Sequence, residues 1–256
     1  MVDALILAGA PNTKKLAAVS PESYEALIPL AGRPMVDFVV TALNESPSVG
    51  KVVIVGPSGL DYLQGNNKVT AIVPCGDTLM ANLRRGLDTL GTSGLVLVAT
   101  ADIPLLTALA VEDFLAQANK YPADFYYSIV EKSVGDAKYP EVKRTYVRLK
   151  EGTFTGGNLL LLNPRILDRG WKWAEDMFRL RKEPLKMCRL LGWGFFVRLL
   201  LGQLTITAVE QRFEQLFEAK GKAVISPYPE VGIDVDKPAD YELAAKYIGQ
   251  CNNIAM

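Results

Sequence analysis

Histidine is absent from the chain. That removes a Ser-His-Asp triad, a Cys-His nucleophile pair and any histidine-ligated metal, so acid–base or metal chemistry falls to Asp, Glu, Lys, Tyr or Cys. Cysteine is scarce. Cys75, Cys188 and Cys251 are far apart, odd in number and without CxxC spacing, which reads as reduced thiols in a cytoplasmic protein. Net charge is also missing: 28 Lys and Arg balance 28 Asp and Glu. No global field draws such a chain to nucleic acid, and any electrostatic signal must be local. Long hydrophobic runs are lacking too. The most apolar late stretch, GWGFFVRLLLG (192–202), is about half the ~20 residues of a spanning helix and is interrupted by Arg198. An N-terminus with Asp3 and no basic segment does not read as a signal peptide.

What is present suits a globular α/β protein of 256 residues, 49% of them apolar. Strand-like runs occur at 2–8, 51–56, 69–74, 94–102 and 124–130. Between them, 34–46, 78–90 and 111–121 carry apolar residues at helical spacing, such as Val36, Val39, Val40 and Leu43. This alternation predicts parallel strands joined by helices on both faces of a sheet, with ligands at the carboxyl ends of the strands. Residues 141–164 read as two strands around a turn, and 165 to about 219 as almost wholly helical. A strand-like run over 222–236 and a closing helix over 238–248 follow. The expectation is one domain over 1–256 with a helical insertion at about 165–221. Residues 165–202 hold nine Lys or Arg against four Asp or Glu, a local charge of +5 in a neutral protein. With its tryptophans and apolar run, this block is compatible with contact to an anionic membrane surface, although packing on the sheet is the simpler reading.

Five places carry chemistry. A loop after the first strand offers small residues (Ala8, Gly9, Ala10), a hydroxyl (Thr13) and two cations (Lys14, Lys15), which suits phosphate; a glycine there is also common in α/β proteins generally. Asp102 ends the apolar run LVLVATAD, where a carboxylate faces the ligand crevice and suits a hard cation; capping the turn before Pro104 is the alternative. In GIDVDKPADY, Asp234 and Asp236 are two apart, so on a strand they share a face, and Asp236 is either a metal ligand or a helix cap. In PCGDTLMANLRRGL, Gly76 precedes a helix capped by Asp77 or Thr78, and Asn82 is placed to meet a nucleotide, while Arg84 and Arg85 read as helix surface. In TFTGGNLLLL, Gly156 and Gly157 allow either a close approach of backbone to ligand beside Asn158 or a simple turn.

Together these segments, in this order, resemble the MobA-like NTP transferases, nucleotidyltransferases of the GT-A-like fold. The resemblance spans 1–164 and 222–250 and rests on LILAGAPNTKK, EALIPLAGRPMVDFVVTAL, GDTLMANLRRGL, ADIPLLT, TGGNLLLLNP and GIDVDKPADYELA. It implies a three-layer α/β/α Rossmann-like architecture with a mostly parallel central sheet. It implies that Thr13 and Lys14 cradle a triphosphate, that Lys14 and Asp102 are catalytic, that Asp102 and Asp234 hold Mg²⁺, with Asp236 open to join them as a ligand, and that Gly156, Gly157 and Asn158 lie beside the acceptor. The implied partners are a nucleoside triphosphate and a phosphorylated small molecule, with pyrophosphate released. Two positions depart from the family pattern. Ala10 stands for the second glycine of the loop, and Glu25 for the lysine that touches the nucleotide phosphates. Glu25 leaves open whether Lys14, Lys15 or an arginine of the basic block takes over that charge, or whether the protein binds a nucleotide or nucleotide sugar without turning it over. An Asp-x-Asp glycosyltransferase motif is not found at Ala101-Asp102-Ile103-Pro104.

Overall fold

A computed structural model describes residues 1–12, 15–180, 183, 186 and 192–254; for 169, 178 and 251–254 only the backbone is described. The first half alternates strand and helix as the apolar periodicity demands. It contains β1 (Val2–Leu7), the short pair β2 (Pro29–Leu30) and β3 (Arg33–Pro34), α1 (Met35–Glu45), β4 (Val49–Gly56), β5 (Val69–Pro74), α2 (Leu79–Leu90), β6 (Val96–Thr100), α3 (Ala108–Ala118) and β7 (Phe125–Glu131). Then come α4 (Lys132–Lys138), β8 (Val147–Arg148), β9 (Thr153–Leu162), α5 (Ile166–Leu180), α6 (Trp193–Leu200), α7 (Ile206–Phe217), β10 (Gly221–Ser226) and α8 (Pro238–Ile254). Threonines start three helices: the hydroxyls of Thr78, Thr107 and Thr205 accept from the amides of Ala81, Ala110 and Ala208, satisfying donors the helix itself cannot.

The main sheet runs β10-β7-β9-β6-β1-β4-β5, with β8 paired to β9. Pairings are parallel except those of β9, which lies antiparallel between β6 and β7 and beside β8. Side chains alternate across the strands. Ala4, Ile6 and Ala8 join Val36, Val39 and Phe114 of α1 and α3 in one apolar layer. Leu5 and Leu7 join Leu83 and Leu87 of α2, Ile166 and Ala174 of α5, and Phe213 and Phe217 of α7 in the other. This is the three-layer α/β/α arrangement. A smaller cluster of Leu16, Ile28, Leu30, Met35, Val235, Ala244 and Ile248 ties the β2–β3 region to α8.

Three local readings change. The strand expected over 222–236 stops at Ser226, because Pro227 and Pro229 end the ladder, and 233–236 is irregular. Gly156 and Gly157 sit inside β9 rather than in a turn. Trp193, read as packing, is 67% exposed. No helix among the described residues is long and apolar enough to cross a membrane.

Candidate active site

From β1 the chain steps outward to β4 and β5, then returns to the other side of β1 as β6. The order reverses between β1 and β6, and a crevice opens at the carboxyl ends of such strands. Asp102 follows β6 there. Its neighbour Ala101 donates from its amide to Leu7 O at 3.1 Å, so Asp102 lies beside the exit of β1. The amide of Val235 donates to Asp102 O at 2.9 Å and draws in the segment bearing Asp234 and Asp236. One carboxylate oxygen from each of Asp102, Asp234 and Asp236 lies within 4.8 Å of the others. Asp102 thus meets two acids more than 130 positions further along the chain, and does so without the strand that the spacing of Asp234 and Asp236 suggested.

The electrostatics of the cluster follow from that crowding. Burial strips water from the Asp102 carboxyl and Asp234 lies close by, so its pKa is pushed up to about 6; Asp236 adds to the rise, and the hydrogen bond from the Thr100 hydroxyl works against it. Arg144 pairs with Asp234 Oδ1, and both side chains are largely buried. Asp236 donates its amide to Asp240 Oδ2 at 3.2 Å. A set of oxygen donors carrying this much negative charge fits a hard divalent ion such as Mg²⁺.

The first loop is held by the segment that follows it, with an isolated antiparallel bridge between Pro11 and Tyr24. The amide of Asn12 donates to Ser23 O at 2.8 Å, that of Glu25 to Ala10 O at 3.0 Å, and the Asn12 side chain reaches Ser20 O and Glu22 O at 3.0 and 2.7 Å. Glu25 therefore stands next to Ala10, at the loop itself. Gly9 is required by space: a Cβ there would lie 2.6 Å from both Asn82 Nδ2 and Cys75 Cβ. Ala8, which precedes it, belongs to the core layer. It is 1% exposed and its amide donates to Val55 O at 2.8 Å, continuing the ladder. Thr13 and Lys14 lie outside the described residues.

The second loop packs against the first. Asn82 is buried, and its Oδ1 accepts from the Gly76 amide at 2.6 Å. It braces Gly76 through that bond and packs against Gly9. Its signal was a polar residue inside the leucine stripe of α2. Thr78, not Asp77, caps α2, and both are exposed. Arg85 folds back to Pro74 O at 2.9 Å, and Arg84 pairs with Asp168 of α5 at 3.7 Å and lies over Trp171. Across the crevice, Ala99 of β6 pairs with Leu159 of β9, so Gly157 and Asn158 lie at the carboxyl end of β6, beside the start of the aspartate cluster. A Cβ at Gly156 or Gly157 would come within 2.1 Å of Tyr127 Oη or 2.2 Å of Ser128 Oγ. These glycines let β9 press onto β7. Sequence reasoning missed Thr100 and Arg144, neither of which sits in a pattern.

Comparison with known proteins follows the same lines. The MobA-like NTP transferase domain matches residues 4–188. A hypothetical transferase from Thermus thermophilus is 39% identical, with a TM-score of 0.81 over 94% of this chain and 99% of that one. A nucleotidyl transferase from Methanothermobacter thermautotrophicus shares 16% identity at a TM-score of 0.56, covering 98% and 99% of the two chains. A CMP:2-keto-3-deoxy-manno-octonic acid synthetase complexed with CTP shares 13% at 0.59, again covering 98% and 99%. The last two are alike in fold alone. Among curated proteins none matches.

Proposed function

The chain belongs to the MobA-like NTP transferase family, and on that premise we propose that it moves an NMP group from a nucleoside triphosphate to a phosphorylated small-molecule acceptor, a sugar phosphate or a cofactor-like compound. An oxygen of the acceptor phosphate attacks the α-phosphorus; the bond from that phosphorus to the bridging oxygen breaks, and pyrophosphate leaves. The observation that carries this reading is the convergence of Asp102, Asp234 and Asp236 within 4.8 Å at the exits of β1 and β6.

Those three acids would hold Mg²⁺, which supplies neutralisation of phosphate charge when bound. The chain's own work is positioning and charge balance, as in other phosphoryl transfers. The amides of Gly9 and Ala10 and the Gly76–Thr78 loop receive the nucleotide, with Asn82 bracing both loops. Thr13 and Lys14 steady the departing pyrophosphate. Gly156, Gly157 and Asn158 take the acceptor. The test is pyrophosphate release from a panel of NTPs and sugar phosphates. Asp102→Asn is expected to lower it at least ~100-fold, the order of losing one main electrostatic element; equal rates would refute the assignment.

One observation favours a second reading. The bond from the Glu25 amide to Ala10 O sets an acid at the phosphate loop. In a non-catalytic nucleotide or nucleotide-sugar binder, NTPs would raise the melting temperature while no acceptor yields pyrophosphate.

A further inference from the structure

The aspartate cluster is gripped from outside by two residues of different chemistry. The Thr100 hydroxyl donates to Asp102 Oδ1. The Arg144 guanidinium pairs with Asp234 Oδ1 and also donates to Gly232 O and, at 3.4 Å, to Asp234 O. Arg144 thus clasps the segment 232–234 at three points, with its side chain 14% exposed and that of Asp234 9% exposed. Its own segment is fixed from the other side. Tyr139 packs edge-on against Tyr247 of α8 at 4.7 Å, and Lys246 pairs with Glu141 at 2.9 Å. A guanidinium held by two backbone carbonyls and a carboxylate is anchored rather than poised to swing.

We propose that Arg144, with Thr100, forms the outer shell of a metal centre. Each commits one oxygen of a ligand acid to a donor outside the cluster and so fixes the plane of that carboxylate. Outer partners of this kind orient metal ligands and set affinity. Arg144 also carries one positive charge against three carboxylates, leaving the balance that a single divalent ion meets. It is a positioning residue, not a catalytic one. The inference rests on the metal role given to the three acids above, but not on the reaction.

The test measures Mn²⁺ binding to the full chain without nucleotide, by the loss of the free-ion paramagnetic resonance signal, together with thermal unfolding in EDTA and in Mn²⁺. Arg144→Ala is expected to weaken Mn²⁺ binding ~10- to 100-fold, the usual loss for an outer-shell partner. Arg144→Lys keeps the charge without the fork and should lose less; Thr100→Val should also bind more weakly. Should Arg144→Ala fail to fold, the other two carry the test. A merely structural Arg144 would lower the melting temperature in EDTA and leave the increment due to Mn²⁺ unchanged, which overturns the proposal. So would variants that bind Mn²⁺ as tightly as wild type, or more tightly, the latter meaning that guanidinium and metal compete. A wild type that binds no Mn²⁺ removes the centre altogether. If Mn²⁺ binds, the variants weaken it and no NTP yields pyrophosphate, the inference stands and the transferase reading falls.

Discussion

Asp102 shows at the residue scale what the site costs the fold. Its carboxyl titrates at about 6 in the folded chain against an ordinary 3.8, chiefly because burial strips its water and Asp234 lies beside it. Between those values the folded state keeps a proton that the unfolded state has lost. The metal-free protein therefore loses stability as pH rises from about 4 through about 6, and the loss is complete above that range. Asp102→Asn removes the ionisation. In EDTA at pH 8 it is expected to melt above wild type, and its stability should respond less to pH across this window; equal curves for the two proteins would contradict the account. The acids were legible in the sequence because apolar runs end in them. Arg144 was not, since it meets Asp234 across 90 positions and nothing in EVKRTYVR marks it.

Helix α2 poses a contest between two effects at the scale of an element. Gly86 lies in its interior, where alanine would improve helix propensity by up to ~1 kcal/mol. Yet a Cβ at Gly86 would fall 2.2 Å from Leu5 Cδ1 and 3.0 Å from Leu5 Cγ, and Leu5 is fully buried in β1. Overpacking of this kind costs about 1–3 kcal/mol. Gly86→Ala is therefore expected to destabilise, seen as a lower urea midpoint, and a rise would show that the helix can shift off the sheet. The periodicity of α1 and α2 and the runs of β1, β4 and β5 were readable because one face of each must be apolar. The place of Gly156 and Gly157 inside β9 was not. In sequence a glycine pair marks a turn and a close strand contact equally well, and only Tyr127 and Ser128 on β7 decide between them.

The helical block is where the whole molecule departs from simple packing. Its α5 and α7 join the core through Ile166, Ala174, Phe213 and Phe217. Helix α6 and the residue that caps it instead leave Trp193, Val197, Leu200 and Leu201 between 49% and 67% exposed, beside the exposed Arg198 and within a segment of charge +5. An apolar face next to cations favours an anionic lipid surface. Membrane contact, the less simple of the two readings of this block, requires the 256-residue chain to co-sediment with anionic vesicles at low salt and to lose that binding in high salt or with Trp193→Ser; sedimentation equal to that with neutral vesicles would remove it.

The sequence by itself determined the order of the main strands and helices, the apolar faces and the acids that end apolar runs, because burial and backbone geometry act on neighbours a few residues apart. It also carried the family resemblance through six ordered segments. Tertiary structure alone decided that Asp102, Asp234 and Asp236 converge, that Asn82 and Ala8 turn inward, and that Arg144 clasps the acid loop. Each of these depends on contacts between distant segments, whose geometry is set by how the strands pair and not by any local pattern.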